Sequence, residues 1–224
     1  EKILVLDIDT FRKEDYAANV EYKKVDVRDF EAVKEALKGY DAVVNAAAAL
    51  PLWKKKDIYS TNVDGIKNVL EAAKVNGINR VVQVSSTAVY GVPEKHPLFE
   101  TDPLIGVGPY GETKITAEKI CEEYRAKGMT VPVVRPKTFI GTERLGVFQI
   151  LYDWVEAGAL IPCIGNGKNR YELLEVQDLV DAIYLMLTKP AEIANDTFNV
   201  GAKNTPPIKD YLEEFFKRVG SKSH

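Results

Sequence analysis

The sequence predicts an α/β fold: a doubly wound parallel sheet with helices on both faces and a small second part attached. Three observations predict it. Short, continuously apolar runs, the pattern of strands buried on both faces, alternate with longer segments whose apolar residues recur at helical spacing. Each run then closes on a small or polar residue. The chain, 224 residues with 46% hydrophobic and 28% charged side chains, is ordinary for a globular protein and can bury a core without staples.

The elements follow in order. Lys2 to Leu6 (KILVL), ending in Asp7, reads as a buried strand, and Val20 to Val27 as a second. Phe30, Val33, Leu37 and Tyr40 share a helical face. Ala42 to Asn45 is a strand. Ile66, Val69, Leu70 and Ala73 line a long helix that stops near Gly77. Arg80 to Ser85 is the next strand, followed by a loop from Gly91 to Pro109. Ala117, Ile120, Cys121 and Tyr124 make the core face of a helix that Gly128 ends, and Val131 to Arg135 is one more strand. This alternation implies parallel strands and right-handed connections. After Pro136 it fades: helices are expected around Phe148 to Glu156, Val176 to Leu187 and Tyr211 to Val219, with a strand at Asp196 to Val200. The division that follows is residues 1–136 as the core with 172–201 returning to it, and residues 137–171 and 202–224 as a substrate-binding part.

Composition excludes several functions. A net charge of −3 argues against nucleic acid as partner. Lys54, Lys55 and Lys56 read as a solvated helix start. Cys121 and Cys163 form no CxxC pair, and His96 and His224 are the only histidines, so neither a metal site nor a Ser-His-Asp triad is expected. The longest apolar stretch, Ala42 to Trp53, is broken by Asn45 and Pro51 and is too short for a bilayer. No signal peptide is evident, so the expectation is a cytoplasmic enzyme with a small-molecule substrate and no membrane partner.

The chemistry concentrates at strand ends. Tyr110 and Lys114 stand one turn apart at a helix start. A phenol has a pKa near 10, and a neighbouring ammonium lowers it, so the pair can take a proton from a substrate hydroxyl while hydride leaves for a nicotinamide. Ser85, Ser86 and Thr87 follow directly on a strand, at the end of a parallel sheet where ligands bind. Ser86 is placed to hydrogen-bond a substrate oxygen, although Ser and Thr are also common turn residues. Asp7 can accept hydrogen bonds from both ribose hydroxyls of an adenosine and would repel a 2′-phosphate, which favours NAD over NADP. Asp9, Arg12 and Lys13 nearby blur that preference and keep NADP open. Asp26, Val27, Ala46, Ala47 and Ala48 end the second and third strands, and small residues there let a flat adenine approach the backbone.

In this order the motifs resemble the extended short-chain dehydrogenases, in particular the NAD-dependent epimerase/dehydratase family, whose fold is of the Rossmann type. The stretch Asn62 to Ala72, the segment Val84 to Gly91, the pair Tyr110 and Lys114, the dipeptide Arg135-Pro136, and the later stretches Val176 to Ala182 and Phe198 to Gly201 carry the likeness over nearly the whole chain. The resemblance implies Tyr110 as general base or acid, Lys114 as its tuner and ribose ligand, and Ser86 on the reacting oxygen. It implies Asn62, Ser85 and Pro136 among the cofactor-binding residues, and a homodimer through two helices, roughly Lys56 to Asn76 and Pro109 to Lys127.

The departures are specific. The family opens with a strand, a Gly-rich loop that meets the pyrophosphate, and a helix; here Asp7 comes first and the earliest glycine is Gly39. The expectation is that the sequence as given omits both this opening and the family's later C-terminal region; a protein truly without the loop would be a non-catalytic binding protein. Thr87 and Ala88 stand where the family's 4,6-dehydratases carry Asp-Glu, which argues against sugar dehydration. Thr138 replaces an Asn placed against the diphosphate of nucleotide sugars, and Arg144 or Arg170 could meet a phosphate instead. The reading is an NAD-dependent oxidoreductase acting on a secondary alcohol or ketone, led by a nucleotide-sugar 4-epimerase, with a simple alcohol or ketone dehydrogenase as alternative.

Overall fold

The run Ile3–Asp7 forms strand β1 and pairs in parallel with β2 (Val20–Lys24), Ile3 opposite Val20 and Asp7 opposite Lys24. The structure, a computed structural model, describes residues 2–10, 12, 14, 16–141, 148–161 and 165–220. In chain order there follow α1 (Phe30–Ala36), β3 (Ala42–Asn45), α2 (Lys55–Tyr59), a π-helical turn (Ser60–Asp64), α3 (Gly65–Val75), β4 (Arg80–Val84), a 3-10 turn (Thr87–Tyr90) and α4 (Gly108–Ala126). Then come β5 (Val133–Pro136), β6 (Thr138–Ile140), α5 (Gln149–Glu156), β7 (Leu173–Glu175), α6 (Val176–Thr188), α7 (Ala191–Ala194), β8 (Thr197–Val200) and α8 (Ile208–Val219).

Two compact units divide these elements. The first comprises residues 1–135 and 183–199. Its four-stranded sheet runs β3-β4-β5-β8, with β3 parallel to β4 (Asn45 opposite Gln83) and β4 parallel to β5 (Val84 opposite Val134). The helical faces read from the sequence are the buried ones: Ile66, Val69, Leu70 and Ala73 of α3 and Ala117, Ile120 and Cys121 of α4 enclose Val81 and Val133 of the sheet. Each large aliphatic side chain so buried contributes about 1.5–3 kcal/mol. Helix α1 begins where the Asp29 carboxylate accepts from the Ala32 N–H at 3.0 Å. Arg80 donates to the carbonyls of Met186 (2.6 Å) and Lys189 (2.8 Å), which satisfies acceptors at the C-terminal end of α6.

The second unit comprises residues 136–182 and 200–224, of which α6 contributes its first half. Residues 172–182, expected from the sequence with the core, group here. Strand β6 pairs in parallel with β7, and the rings of Tyr152 and Phe215 meet edge-on at 4.8 Å, joining α5 to α8.

The elements differ from expectation in three places. Strand β2 stops at Lys24 because Asp26 starts a turn, its carbonyl accepting from the Asp29 N–H at 2.9 Å. The long helix ending near Gly77 contains a π turn, closed by the Gly65 N–H on the Ser60 carbonyl five residues back. The three-residue strands β6 and β7 and the four-residue α7 were not foreseen, being too short to show a period.

Candidate active site

Parallel strands place the ends of β1, β2, β3 and β4 at carboxyl edges, where a sheet of this kind binds ligands. Asp7 is exposed, and its carboxylate accepts from the Asp9 N–H at 3.0 Å. Asp26 is held by its neighbour: Arg28 Nε donates to both carboxylate oxygens at 3.0 and 2.9 Å and Nη2 to one at 2.6 Å, and these hydrogen bonds hold the carboxyl below its ordinary pKa. Val27 packs against Gly65, where a Cβ would come within 2.7 Å of Val27 Cγ2, and its carbonyl accepts from Asn68 Nδ2 at 3.0 Å. Ala46 and Ala47 are exposed and Ala48 is half-buried, so the end of β3 presents small side chains and backbone.

Asn62 lies in the π turn and is buried. Its Oδ1 accepts from the Ala49 N–H at 2.8 Å, while Nδ2 donates to the Ala49 carbonyl (3.3 Å) and to Thr113 Oγ1 (3.1 Å). Thr113 in turn donates to the Tyr110 carbonyl at 2.9 Å. One amide thus ties the alanine loop after β3 to the first turn of α4.

That first turn carries Tyr110, and Lys114 stands one turn further on. Tyr110 is half-buried, and Lys114 Nζ lies 5.7 Å from the centre of its ring. Lys114 is only 3% exposed and donates to the Val84 carbonyl at 3.1 Å. Burial drives its pKa from 10.5 down to about 8, against the opposing charge of Glu118. Ser86 is half-buried and caps the 3-10 turn, its Oγ accepting from the Ala88 N–H at 3.1 Å; Thr87 begins that turn. The turn lies against α4 without a side chain between them, because a Cβ on Gly111 would come within 3.0 Å of the Ala88 carbonyl and 3.1 Å of Gly106 Cα. The helix that presents Tyr110 and Lys114 and the strand end that presents Ser86 are therefore in backbone contact.

Behind them lies a polar network that the motif reading did not find. Ser85 donates its hydroxyl to Glu118 Oε1 at 2.5 Å. Arg135 donates to Glu118 through Nε (3.0 and 3.1 Å) and Nη2 (2.6 Å), and through Nη1 to Tyr90 Oη (2.7 Å) and the Glu100 carbonyl (3.1 Å). Tyr90 donates to Asn199 Oδ1 at 2.8 Å. The signal for Glu118 was in the sequence: an acid four residues after Lys114, within the apolar stripe of Ala117 and Cys121.

In the second unit, Pro136 is buried at the end of β5. Thr138 Oγ1 and Tyr171 Oη share a hydrogen bond of 2.8 Å, and Arg170 Nη1 donates to the Thr205 carbonyl at 2.6 Å. Arg144 lies outside the described residues, as do Lys13, Cys163 and His224. Among the described residues no cluster of His, Cys, Asp or Glu could hold a metal, and no helix is long and apolar enough to cross a membrane.

The profile of the NAD dependent epimerase/dehydratase family matches residues 2–201. The chain belongs to that family. Within it, the chain is 36% identical over 203 residues to the uncharacterised protein y4nG of Sinorhizobium fredii, covering 90% of this chain and 50% of the relative. It is 33% identical over 175 residues to the N-acetyl-alpha-D-glucosaminyl-diphospho-ditrans,octacis-undecaprenol 4-epimerase of Escherichia coli O157:H7 (74% of this chain, 51% of the relative). It is 28% identical over 238 residues to UDP-glucose 4-epimerase 2 of Oryza sativa subsp. japonica (93% and 58%). The chain thus spans about half the length of the first and second of these relatives and 58% of the third. Among solved structures, the UDP-N-acetylglucosamine 4-epimerase of Methanobrevibacter ruminantium M1 superposes with a TM-score of 0.85 at 22% identity, over 98% of this chain and 75% of that one. The fold is therefore that of the extended short-chain dehydrogenases.

Proposed function

We propose that the chain carries the hydride-transfer centre of a nucleotide-sugar 4-epimerase-like enzyme that uses NAD. The observation that carries this reading is the buried Lys114 ammonium beside Tyr110, on a helix in backbone contact with the turn that Ser86 caps. A surface Tyr-Lys pair would have no reason to bury its ammonium at an energetic cost.

The residues fit NAD. Asp7 offers an exposed carboxylate at a strand end for the adenosine ribose, and the small, exposed Ala46 and Ala47 leave room for an adenine. Val27 and Asn62 shape that surface from behind through Gly65 and Ala49. Bound NAD supplies a hydride acceptor that can also return the hydride. Tyr110 takes the proton from the substrate hydroxyl and gives it back. Lys114 holds the phenolate by charge and offers its remaining protons to a ribose. Ser86 fixes the reacting oxygen. In the second unit Thr138, Arg170 and Arg144 are assigned to the diphosphate end of the substrate, and Thr87 to the sugar. The relatives named as 4-epimerases of sugar diphosphate compounds support this substrate class. The enzyme is placed in the cytoplasm and acts as a homodimer through α3 and α4.

The test is to incubate the full-length protein with catalytic NAD and UDP-galactose or UDP-N-acetylglucosamine, and to follow the C4 proton by NMR. The 4-epimer should accumulate with no net NADH absorbance. NADH formed in step with an added secondary alcohol would establish the simple dehydrogenase instead. Neither product, together with no NAD binding by calorimetry, would leave a non-catalytic binding protein.

A further inference from the structure

We propose that Glu118 is a positioning residue for this centre: backed by Arg135, it fixes the strand end that carries Ser86 and supplies the counter-charge to Lys114. The proposal rests on the reading of Tyr110 and Lys114 as the acid–base pair.

Its geometry comes first. Tyr110, Lys114 and Glu118 follow one another at intervals of four along α4, so they rise along one side of the helix. Glu118 is 3% exposed, between Ala117 and Cys121, and a carboxylate so buried needs firm partners. Arg135 alone would satisfy it through the bonds described, yet it also accepts from Ser85, the neighbour of Ser86. The far side of Arg135 holds Tyr90, the last residue of the turn that Ser86 caps. Both ends of that turn, Ser85 and Tyr90, are therefore held by one ion pair, and the pair stands on the helix of Tyr110 and Lys114. Moving Glu118 moves Ser86 relative to Tyr110.

The charges around Lys114 complete the argument. Its own helix presents Tyr110, Glu118 and Cys121. At the end of strand β4 the Val84 carbonyl accepts from Lys114, and the Ser85 hydroxyl that follows donates to Glu118. Arg135 of β5 and Tyr90 of the 3-10 turn stand behind Glu118. From α2 and the π turn come Tyr59, bonded to Glu112 at 2.5 Å, and the neutral Asn62. Glu118 is the principal influence holding the proton on Lys114 against burial. Without it, burial acts on the ammonium with that opposing charge removed, which disfavours protonation.

The experiment is Glu118→Gln, which keeps the shape and removes the charge. The Lys114 titration is followed by NMR in lysine-labelled full-length protein, its signal assigned by loss in Lys114→Met, beside the pH–rate profile. In Glu118→Gln the Lys114 midpoint should fall by about one unit or more, the alkaline limb of kcat should follow it, and kcat at pH 8 should drop about tenfold or more. Glu118→Asp should keep the midpoint. If Glu118→Gln does not fold, Glu118→Gln with Arg135→Gln removes both charges and should still lower the midpoint. A midpoint at the wild-type value in either folded variant overturns the proposal. The NMR reading needs no turnover, so a shifted midpoint in a protein that epimerises nothing upholds the electrostatic role of Glu118 and refutes the catalytic reading alone.

Discussion

In the proposed mechanism, stability and chemistry pull in opposite directions at Lys114. Below pH 8 it is charged both folded and unfolded, and burying that charge costs about 3 kcal/mol. As pH rises from about 8 towards 10.5 the folded protein sheds a proton that the unfolded chain keeps, so the cost fades and stability from this group increases. Lys114→Met should therefore stabilise the fold at pH 7. The Val84 carbonyl would still accept from Gln83 Nε2 at 2.8 Å, and Glu118 would keep Arg135. Calorimetry should show a melting temperature higher by about 6–12 °C, with turnover abolished and the pH dependence between 8 and 10 flattened. An unchanged or lower melting temperature would mean that the ammonium is not the burden it looks. Tyr110→Phe removes the proton carrier and should cut turnover by about 10²–10⁴, as steady-state kinetics would show. Cys121, fully buried with its thiol pushed up to about 12, should resist iodoacetamide at pH 8 until the protein unfolds, as peptide mapping would reveal.

At the scale of elements, α4 meets the 3-10 turn backbone to backbone at Gly111. Gly111→Ala would gain about 1 kcal/mol of helix propensity on an open surface. Here the added methyl would meet the Ala88 carbonyl at 3.0 Å, so that gain should be absent from the melting temperature while kcat falls, because the Ser86 turn is pushed off Tyr110. Much of this arrangement was legible beforehand. Alternation gave the order of strands and helices, and helical spacing gave the buried faces of α3 and α4. The four-residue spacing placed Tyr110 and Lys114 one turn apart on α4. What was not legible is what arises between distant segments. Glu118 and Arg135 are 17 residues apart, and Asn62 reaches Thr113 51 residues on; neither pairing leaves a period. Asn62 and Val27 also pack against Ala49, Thr113 and Gly65, contacts that pattern reading does not contain.

For the molecule as a whole, the outward faces of α3 and α4 carry Lys67, Glu71, Glu123 and Lys127 around a shallow groove over Phe30 and Ile120, with Tyr124 bonded to Glu71 at 2.7 Å. Two cations and two anions on one face can complement themselves about a two-fold axis, which is what an isologous dimer requires. Light scattering should give twice the chain mass. Lys67→Glu with Lys127→Glu, both exposed, should give a folded monomer; a dimer that persists would place the interface elsewhere.

The π turn at Ser60–Asp64 also sets how this part of the chain tolerates change in length. An α-helix advances about 100° per residue, so one residue inserted or removed swings everything beyond it by more than a quarter-turn. The wide turn absorbs one residue of surplus: before it Ile58 points into the core, within it Asn62 reaches Ala49, and after it Ile66, Val69 and Leu70 return to the core. Deleting one residue between 60 and 64 should therefore lower the melting temperature less than deleting one from α3, because this segment can close as a regular helix with Ile58 and Ile66 still facing the core.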